Sequence, residues 1–460
     1  MRKDHLVKET DCLKKVLKKA STYFGKILCV VNSKSQLVGC LTSGDIRRAI
    51  LSGYSINSPI KNIYNRNATF LYNHELKKKK LLKSNFKNNE INNSIFYVPI
   101  INKKKNIIKI LSTNQIIELL GNKRIFKKKS IESPKILVVG GAGYIGSNLC
   151  SKLLKKNFSV KVVDKLLYDK KSLHKLKSNK KFEFLKSDIC DLNTQVNAIK
   201  DVDAVVFLAE IVGDPACNAK PEDSLKTNYL SIVSMSQLCS YIGISKFVYT
   251  SSCSVYGADE SSNLLYEKSN LNPLSHYARM KIMSEKALLA NKNEIFKPTI
   301  LRLGTVFGLS PRNRFDLVVN KMAKNAFFEK KIDVYGGLQW RPNIHVDDVS
   351  EGIIAVLNTR QNIVGNQIFN LSSDKLNLRI KDIAFATSKV FKKAKININS
   401  KITDERNYKV SSKKFYIRTK FKAKKNINYA LKSFFKFFKK NKKFNPKSKK
   451  FSNLEIVSEK

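Results

Sequence analysis

Residues 135–146 read KILVVGGAGYIG, and this stretch determines the fold that we predict for the chain. The apolar run 136–139 indicates a buried strand, and the residues after the stretch have the composition of a helix. Three glycines, Gly140, Gly143 and Gly146, stand between the two elements. Glycines allow a tight strand-to-helix turn and let the backbone approach a pyrophosphate at the positive end of the helix. The stretch therefore predicts a dinucleotide-binding turn.

A second strand signal ends in an acidic residue, at the position where such turns select their cofactor. Residues 159–163 form a mainly apolar run, and Asp164 follows it, 24 residues after Gly140. A carboxylate at this position accepts hydrogen bonds from both hydroxyls of an adenosine ribose and repels a 2′-phosphate. A glycine triplet alone could be structural, but here strand, turn, helix and acid agree. We therefore predict NAD rather than NADP as the cofactor.

Strand and helix patterns alternate from Lys135 onward. The predicted strands are 136–139, 160–163, 182–185, 204–207, 246–250 and 299–303. This alternation predicts an α/β fold with a doubly wound parallel sheet of the Rossmann type. Asp188 and Ile189 follow the third strand, where a side chain can contact the adenine. Leu208 and Ala209 end the fourth strand, beneath the pyrophosphate.

The charge balance is strongly basic, with 87 lysines and arginines against 36 acidic residues and a formal net charge of +51. Only 14 of the 87 are arginines, and the lysines are spread along the whole chain. Nucleic-acid-binding surfaces favour arginine interleaved with aromatic residues, and the sequence contains no such patch. We attribute the charge to compositional bias on solvated surfaces and expect no nucleic-acid partner.

The cysteines and histidines indicate neither disulfides nor a metal site. Eight cysteines are scattered without a C-x-x-C pair, and the five histidines show no ligand spacing. The scattered cysteines predict free thiols in a reducing compartment. The charged N-terminus lacks the apolar segment of a signal peptide. No apolar run approaches the length of about 18 residues that a membrane span needs. The predicted location is the cytoplasm.

The chain is predicted to contain two structured domains. Residues 1–128 form an α+β unit in which a strand–strand–helix pattern occurs twice, which indicates an internal repeat. Residues 129–134 form a charged linker. Residues 135–443 form the α/β unit with a small C-terminal α/β lobe, and residues 444–460 form a basic, disordered tail.

The first unit resembles a cystathionine-β-synthase-type (CBS) domain pair. Gly39, Thr42 and Asp45 stand at the G-x-x-T-x-x-D spacing of that family. The resemblance implies that the Thr42 hydroxyl meets a phosphate and the Asp45 carboxylate a ribose, usually of an adenine nucleotide. In the second half Lys109 and Gln115 replace the glycine and the acid, so at most one such site is expected. A packing or dimerisation module without a ligand is the alternative.

Apolar residues within 427–438 recur at helical spacing, opposite a lysine-rich face. This pattern predicts the last helix of the catalytic unit, with its apolar face against the core. A helix that lies on an anionic membrane surface has the same pattern. The packing of the apolar face distinguishes the two interpretations.

The predicted catalytic residues are Ser252, Tyr277 and Lys281. Tyr277 and Lys281 form a Y-x-x-x-K pair in a helical pattern, and Ser252 ends a predicted strand. The four-residue spacing places phenol and ammonium on one helix face, where the ammonium lowers the pKa of the phenol. Tyr277 can then exchange a proton with a substrate hydroxyl while hydride moves to or from the nicotinamide. Ser252 would share the hydrogen bond to the reacting oxygen.

Four motifs resemble the extended short-chain dehydrogenase/reductase superfamily, in its nucleotide-sugar epimerase/dehydratase branch. They are GGAGYIG (140–146), TSSCSVYG (250–257), YARMK (277–281) and WRPNIHVDDV (340–349). The resemblance covers about residues 135–440 and implies tightly bound NAD. The implied cofactor contacts are Gly140, Gly143, Tyr144, Ile145, Gly146, Asp164, Asp188, Ile189, Leu208, Ala209, Asn228, Tyr277 and Lys281.

The same resemblance implies that the C-terminal lobe holds the nucleotide diphosphate of the substrate. Arg341 and Arg406 are the candidate diphosphate partners, and Arg314 is a third candidate. Two positions depart from the family pattern. Thr305 stands where many members have asparagine, and Glu210 stands where a small residue is usual. We interpret Glu210 as a surface acid without a catalytic role.

The reaction class is predicted from the residues after Ser252. Dehydratases of this branch place acidic residues there, whereas this chain has Cys253 and Ser254. The resemblance therefore favours a UDP-glucose 4-epimerase-like enzyme that acts on a UDP-linked sugar through a transient 4-keto sugar. A 4-keto reductase, a dehydrogenase, a dehydratase and a non-enzymatic nucleotide sensor are the alternatives. Both family resemblances imply a homo-oligomer.

Overall fold

The computed structural model describes residues 5–22, 27–42, 45–46, 49, 52–68, 70–77, 97–112, 133–258, 263–400, 405–441 and 444–458. The chain divides into two compact units, Met1–Glu132 and Ser133–Lys460. The division falls inside the charged segment 129–134 that the sequence marks as a linker.

The first unit contains two small sheets with the same strand arrangement. One consists of β1 (Leu6–Lys8), β2 (Leu28–Val31) and β3 (Leu37–Leu41), and the other of β4 (Leu71–Tyr72), β5 (Tyr97–Ile101) and β6 (Ile107–Ser112). In each sheet the first strand is parallel to the second, and the second is antiparallel to the third. The duplicated pairing supports the internal repeat. Helix α1 (Leu13–Thr22) contributes Leu13 and Val16 to the core of the first half. The strand–strand–helix pattern of the second half predicts a helix at 114–120, and these residues lie outside the described ones.

The strands of the second unit are β7 (Lys135–Val139), β8 (Ser159–Asp164), β9 (Phe182–Lys186), β10 (Ala204–Phe207), β11 (Lys246–Ser252), β12 (Leu264–Leu265), β13 (Thr299–Leu303), β14 (Thr305–Phe307), β15 (Lys331–Tyr335), β16 (Trp340–His345), β17 (Gln367–Leu371), β18 (Asn377–Arg379), β19 (Lys395–Asn399) and β20 (Lys409–Val410). Seven of them form one parallel sheet in the order β17–β13–β11–β10–β7–β8–β9. Six of the seven correspond to predicted strands. The seventh, β17, was not predicted individually.

The helices of the second unit are α2 (Tyr144–Lys155), α3 (Leu192–Ala198), α4 (Asp214–Ala219), α5 (Pro221–Leu225), α6 (Ser231–Ile242), α7 (His276–Ala290), α8 (Val318–Phe328), α9 (Val346–Asn358), α10 (Gln361–Val364), α11 (Ile380–Val390), α12 (Lys413–Thr419), α13 (Ile427–Lys440) and α14 (Asn453–Ser458). Among the described residues, no helix is both long enough and apolar enough to cross a membrane. The eight cysteines are free, and the described part of the chain contains no cluster of potential metal ligands.

Helices cover both faces of the parallel sheet. Successive residues of β7 alternate between two apolar clusters, as the pleat of a strand requires. Ile136 packs with Leu149 of α2 and Ile353 of α9 on one face. Leu137 packs with Ile232 of α6 on the other face. This three-layer arrangement is the predicted Rossmann-like α/β fold.

The C-terminal lobe is held together by helices α8, α11 and α13. Helix α13 buries Ile427, Ala430, Leu431, Phe434 and Phe438 in the apolar core of the lobe. The apolar face of this helix is therefore occupied by protein. This packing supports the interpretation as a docking helix over that of a membrane-surface helix.

Residues 444–458 pack against the lobe and do not form the disordered tail expected for 444–460. The rings of Phe444 and Phe451 stack with centroids 5.0 Å apart, and each contacts Phe315. Asn453 and Val457 of α14 are buried. The prediction failed because average composition conceals two phenylalanines that anchor an otherwise lysine-rich segment.

Candidate functional site

The glycine turn connects β7 to α2 at the carboxyl edge of the parallel sheet. Gly140 has a φ of +82°, and a Cβ on this residue would lie 2.6 Å from the backbone nitrogen of Ala209. A Cβ on Gly146 would lie 2.3 Å from the Gly140 carbonyl oxygen. Gly143 is the N-cap of α2, so the first amides of that helix have no intrahelical acceptors. The turn therefore has the backbone geometry that a pyrophosphate requires.

The neighbouring predicted cofactor contacts differ in how they face this turn. Leu208 donates its backbone N–H to the Val139 carbonyl at 2.8 Å, which places the end of β10 beside the turn. The Tyr144 hydroxyl donates to the Gly308 carbonyl at 2.7 Å, and Ile145 packs into the apolar core. Tyr144 and Ile145 can therefore reach a cofactor at the turn only through their backbone.

Asp164 ends β8 next to the glycine turn. Its carboxylate accepts the N–H of Ala142 at 2.9 Å and that of Leu166 at 2.7 Å, one on each oxygen. Burial raises the pKa of Asp164, whereas these two hydrogen bonds favour its charged form. Each carboxylate oxygen retains a second lone pair, which suits the two hydroxyls of a ribose. These residues fit an NAD molecule.

The predicted adenine contacts lie at the end of the next strand. Asp188 is partly exposed, and its carboxylate accepts the Cys190 N–H at 3.0 Å and pairs with Lys165 at 3.2 Å. The Ile189 side chain is buried in the apolar layer under the sheet. Of these two residues, Asp188 is therefore the one that presents its side chain at the end of β9.

Asp164→Asn is expected to weaken NAD binding by about 10-fold or more and to reduce the preference for NAD over NADP. The substitution removes the charge that repels a 2′-phosphate and one acceptor of a charge-assisted hydrogen bond, worth about 1.5–3 kcal/mol. Calorimetric titration of the cofactor-free protein with NAD and NADP measures both effects. Asp201→Asn, at an exposed turn with φ +60°, is the control. An unchanged NAD affinity in Asp164→Asn would contradict this role.

Asn228, another predicted cofactor contact, lies in a π-helical turn (Lys226–Leu230). Its carboxamide accepts the N–H of Ile211 and donates to the carbonyl of the same residue, both at 2.8 Å. The side chain is buried, and it also approaches Cys217 at 3.7 Å. In this arrangement Asn228 holds the loop that follows β10.

The three predicted catalytic residues lie on β11 and α7. Ser252 is the last residue of β11, and its hydroxyl accepts the Ser254 N–H at 3.1 Å. Tyr277 is the second residue of α7, which the Ser275 side chain caps. The Lys281 ammonium lies 5.4 Å from the centre of the Tyr277 ring, so both side chains share one face of α7. The neighbouring His276 is exposed.

Glu210 is not the surface acid that we expected from the sequence. Its side chain is 3% exposed and forms an ion pair with the equally buried Lys281. The Tyr249 hydroxyl donates to its second oxygen at 2.9 Å. The interpretation from sequence was wrong because the partner lies 71 residues away. The only signal in the sequence was an acid at a position where the family usually has a small residue.

The electrostatics of the site differ from those predicted from the Y-x-x-x-K spacing. Burial lowers the pKa of Lys281 and raises that of Glu210, and their ion pair opposes both shifts. Burial raises the pKa of Tyr277 well above its usual value, and the charge of Glu210 raises it further. In the cofactor-free protein, burial and the charge of Glu210 therefore outweigh the lowering of the Tyr277 pKa that the Y-x-x-x-K spacing predicts.

Two of the three candidate diphosphate partners meet in the C-terminal lobe. Arg341 on β16 is buried and donates to the Trp340 carbonyl at 2.8 Å and to the Arg406 carbonyl. The Arg406 guanidinium pairs at 3.1 Å with Asp214, at the start of α4. Arg314 does not join them: it forms a bidentate pair with Asp316, and its charge favours a lower pKa of Tyr277.

The C-terminal helix α14 packs beside Tyr277. Val457 belongs to one apolar cluster with Ile211, Cys217, Met280 and Tyr277. Asn453 of the same helix accepts a hydrogen bond from Arg312 at 2.6 Å. This contact was not predicted because the lysine-rich composition of residues 444–460 indicates a disordered segment.

Several buried polar atoms around this site have no hydrogen-bond partner among the described residues. They are Ser254 Oγ, Asp214 Oδ1, Tyr168 Oη and Arg312 Nε. Tyr168 packs in the cluster that contains Tyr277, and the Arg312 guanidinium lies 4.6 Å from the Tyr168 ring centre. Buried polar groups are costly when unpaired. These four atoms are therefore available to hydrogen-bond a polar ligand.

In the first unit, the two residues predicted to bind a nucleotide contact each other. The backbone N–H and hydroxyl of Thr42 both donate to one carboxylate oxygen of Asp45, at 2.8 and 2.7 Å. A Cβ on Gly39 would lie 2.5 Å from the Asn65 carbonyl. The motif residues therefore form one local turn, and their role toward a nucleotide stays a prediction.

The second unit matches known proteins over most of its length. The model of the NAD dependent epimerase/dehydratase family matches residues 136–372. The UDP-glucose epimerase YtcB of Bacillus subtilis, itself uncharacterized, is 30% identical over 281 residues, which cover 59% of this chain and 87% of that protein. The UDP-glucose 4-epimerase of Bacillus subtilis is 27% identical over 261 residues, 52% of this chain and 77% of that one. The structure of UDP-glucuronic acid 4-epimerase from Bacillus cereus, in complex with UDP-glucuronic acid and NAD, has a TM-score of 0.61 at 26% identity and covers 66% of this chain and 99% of that one.

Proposed function

Because the chain belongs to the NAD-dependent epimerase/dehydratase family, we propose that it inverts carbon C4 of a UDP-linked sugar through a transient 4-keto sugar. The observation that carries this proposal is the position of Ser252, Tyr277 and Lys281 at the same sheet edge as the glycine turn. The UDP-sugar epimerases among the relatives support the choice of nucleotide.

The side chains at this edge can carry out the proton transfers of an epimerisation. Bound NAD supplies a hydride acceptor and, in its reduced form, a donor. Tyr277 takes the proton of the C4 hydroxyl as the carbon is oxidised and returns it after the sugar has turned over. Ser252 donates a hydrogen bond to the same oxygen. Arg341 and Arg406 hold the diphosphate while the sugar turns, since guanidinium groups match phosphate oxygens.

The residues after Ser252 support epimerisation over elimination of water. Elimination needs an acid and a base beside the sugar. Cys253 is buried, its thiol donates to the Arg302 carbonyl at 3.4 Å, and burial raises the pKa of that thiol. Ser254 offers a hydroxyl and no carboxylate. A dehydratase, a reductase and a dehydrogenase are the alternatives that the reaction products distinguish.

The experiment is incubation of the purified protein with a panel of nucleotide sugars and a trace of NAD. Mass spectrometry and NMR identify the products. A product of unchanged mass with an inverted carbon supports the epimerase and names the sugar. Loss of water indicates a dehydratase. Turnover only with stoichiometric NAD or NADH indicates a dehydrogenase or reductase.

We also propose that the first unit is a CBS-type pair that binds an adenine nucleotide at Thr42 and Asp45. The duplicated strand pairing and the local Thr42–Asp45 turn support this proposal. Calorimetric titration of the full chain with AMP and ATP, compared with Asp45→Ala, tests it. Nucleotide binding without sugar turnover would favour the sensor alternative.

Light scattering of the same samples tests the predicted homo-oligomer. The cytoplasmic location stays a prediction.

A further inference from the structure

We propose that Glu210 is a positioning residue for the catalytic lysine: it is the counterion that holds Lys281 in place and keeps its ammonium group charged. The inference rests on the proposed function only for its catalytic consequence. The ion pair itself can be tested without a substrate. Neither the family resemblance nor the sequence pattern assigns a role to this acid.

The contacts of Lys281 fix both the position and the charge of its ammonium group. One N–H bonds to Glu210, and another donates to the backbone carbonyl of Thr250 on β11. The ammonium also lies 4.8 Å from the ring centre of Tyr249. The Tyr249 hydroxyl in turn donates to Glu210 and restrains the carboxylate. The carboxylate is therefore held by two groups of the sheet and helix.

Among the described residues near Lys281, no second carboxylate is available to replace Glu210. The titratable groups around the ammonium are Glu210, Glu285, Cys217, Tyr249 and Tyr277. Glu285 lies one turn further along α7 and is bonded to Arg302 at 2.7 and 3.0 Å. Burial raises the pKa of Cys217, so this thiol is neutral near pH 7.

A buried lysine without a counterion favours its neutral form, because desolvation penalises the ammonium. A neutral lysine loses the charge that assists ionisation of Tyr277 during proton transfer. Glu210→Gln keeps the shape and hydrogen bonds of the side chain but removes the charge. In this variant we expect Lys281 to lose its proton at a lower pH than in the wild type.

The test that needs no substrate is urea unfolding as a function of pH, followed by the fluorescence of Trp340. The chain contains one tryptophan, and it lies in the second unit, so the signal reports that unit. In Glu210→Gln the folded state prefers neutral Lys281, whereas lysine in the unfolded chain titrates near pH 10.4. The folded variant therefore gains stability as the pH rises from the lowered pKa of Lys281 in the folded state to the pKa of lysine in the unfolded chain. We expect its urea midpoint to lie below that of the wild type at about pH 6 and to approach it by about pH 10.

Two further variants separate the charge effect from packing. Glu222→Gln removes the same charge from an exposed site and should show no pH-dependent difference from the wild type. Glu210→Gln combined with Lys281→Met removes both charges and should abolish the pH dependence. A midpoint difference that stays constant across the pH range would assign Glu210 a packing role and overturn the proposal.

The catalytic consequence is tested with the sugar that the panel identifies. In Glu210→Gln, the alkaline limb of the pH–rate profile should move by about 1–3 units to lower pH, and Glu210→Asp should restore most of the shift. A normal pH profile would overturn the catalytic part of the inference. If no sugar is converted at all, the unfolding result still decides whether Glu210 is the counterion.

Discussion

Replacing Tyr277 with phenylalanine is expected to lower sugar turnover by about 10³-fold while NAD stays bound. The ring packs with Ile211, Cys217 and Met280, and phenylalanine retains these contacts. The substitution removes only the hydroxyl that takes and returns the sugar proton. Initial rates by NMR measure turnover, and the NAD released on denaturation measures cofactor content.

His276→Asn is the matched control for this variant. His276 adjoins Tyr277 in the chain and carries the side chain that most often acts as a base, but its imidazole is exposed at the first position of α7. We expect this variant to retain activity within about threefold, since surface substitutions rarely perturb a site. Loss of activity in His276→Asn with retention in Tyr277→Phe would assign the proton transfer to the histidine and contradict the mechanism.

Local patterns in the sequence predicted the parts of the fold that local forces determine. The glycine turn was predictable because Gly140 and Gly146 occupy backbone positions that a Cβ would fill. Two of the six predicted strands, 136–139 and 204–207, are continuous apolar runs, as expected for strands covered on both faces, and each of the other four is mainly apolar with one charged residue. Helix α13 was predictable because its apolar residues recur at helical spacing.

Features that depend on distant partners were not predictable in the same way. Glu210 is buried because the fold places Lys281 beside it, and no local pattern contains that pairing. The segment 444–458 packs because Phe444 and Phe451 join a cluster around Phe315, which lies far earlier in the chain. The charge state of Tyr277 likewise depends on burial and on Glu210, neither of which the Y-x-x-x-K spacing reveals.

The second large effect is expected at a buried ion pair beside the elements that carry Ser252 and Tyr277. Arg302 on β13 is 2% exposed, and its guanidinium forms two hydrogen bonds with Glu285 on α7, at 3.0 and 2.7 Å. The Ser251 hydroxyl, on β11, donates to the same carboxylate at 2.5 Å. Glu285 thus joins α7, the helix that carries Tyr277, to β13 through Arg302 and to β11, the strand that carries Ser252, through Ser251.

Glu285→Gln is expected to lower the free energy of unfolding of the second unit by about 3–5 kcal/mol. The amide has nearly the same shape, but it leaves the Arg302 guanidinium buried without a compensating charge. Urea unfolding followed through Trp340 fluorescence measures the loss. Asp333→Asn breaks a half-exposed pair with Lys331 (2.9 Å) and should cost at most about 1 kcal/mol. Equal losses in the two variants would show that burial does not determine the energy of this pair.

A double substitution separates the unpaired charge from the lost hydrogen bonds. Arg302→Met combined with Glu285→Leu replaces the pair by apolar side chains of similar volume. Such a replacement of a buried ion pair often leaves the stability unchanged or raises it. We therefore expect the double variant to recover most of the stability that Glu285→Gln loses. Tyr256 donates its hydroxyl proton to Asn370 at 2.7 Å and accepts from Arg302 at 3.0 Å, so it loses one partner and keeps another. If the double variant is as unstable as Glu285→Gln, the hydrogen bonds to Ser251 and Tyr256, and not the uncompensated charge, determine the loss.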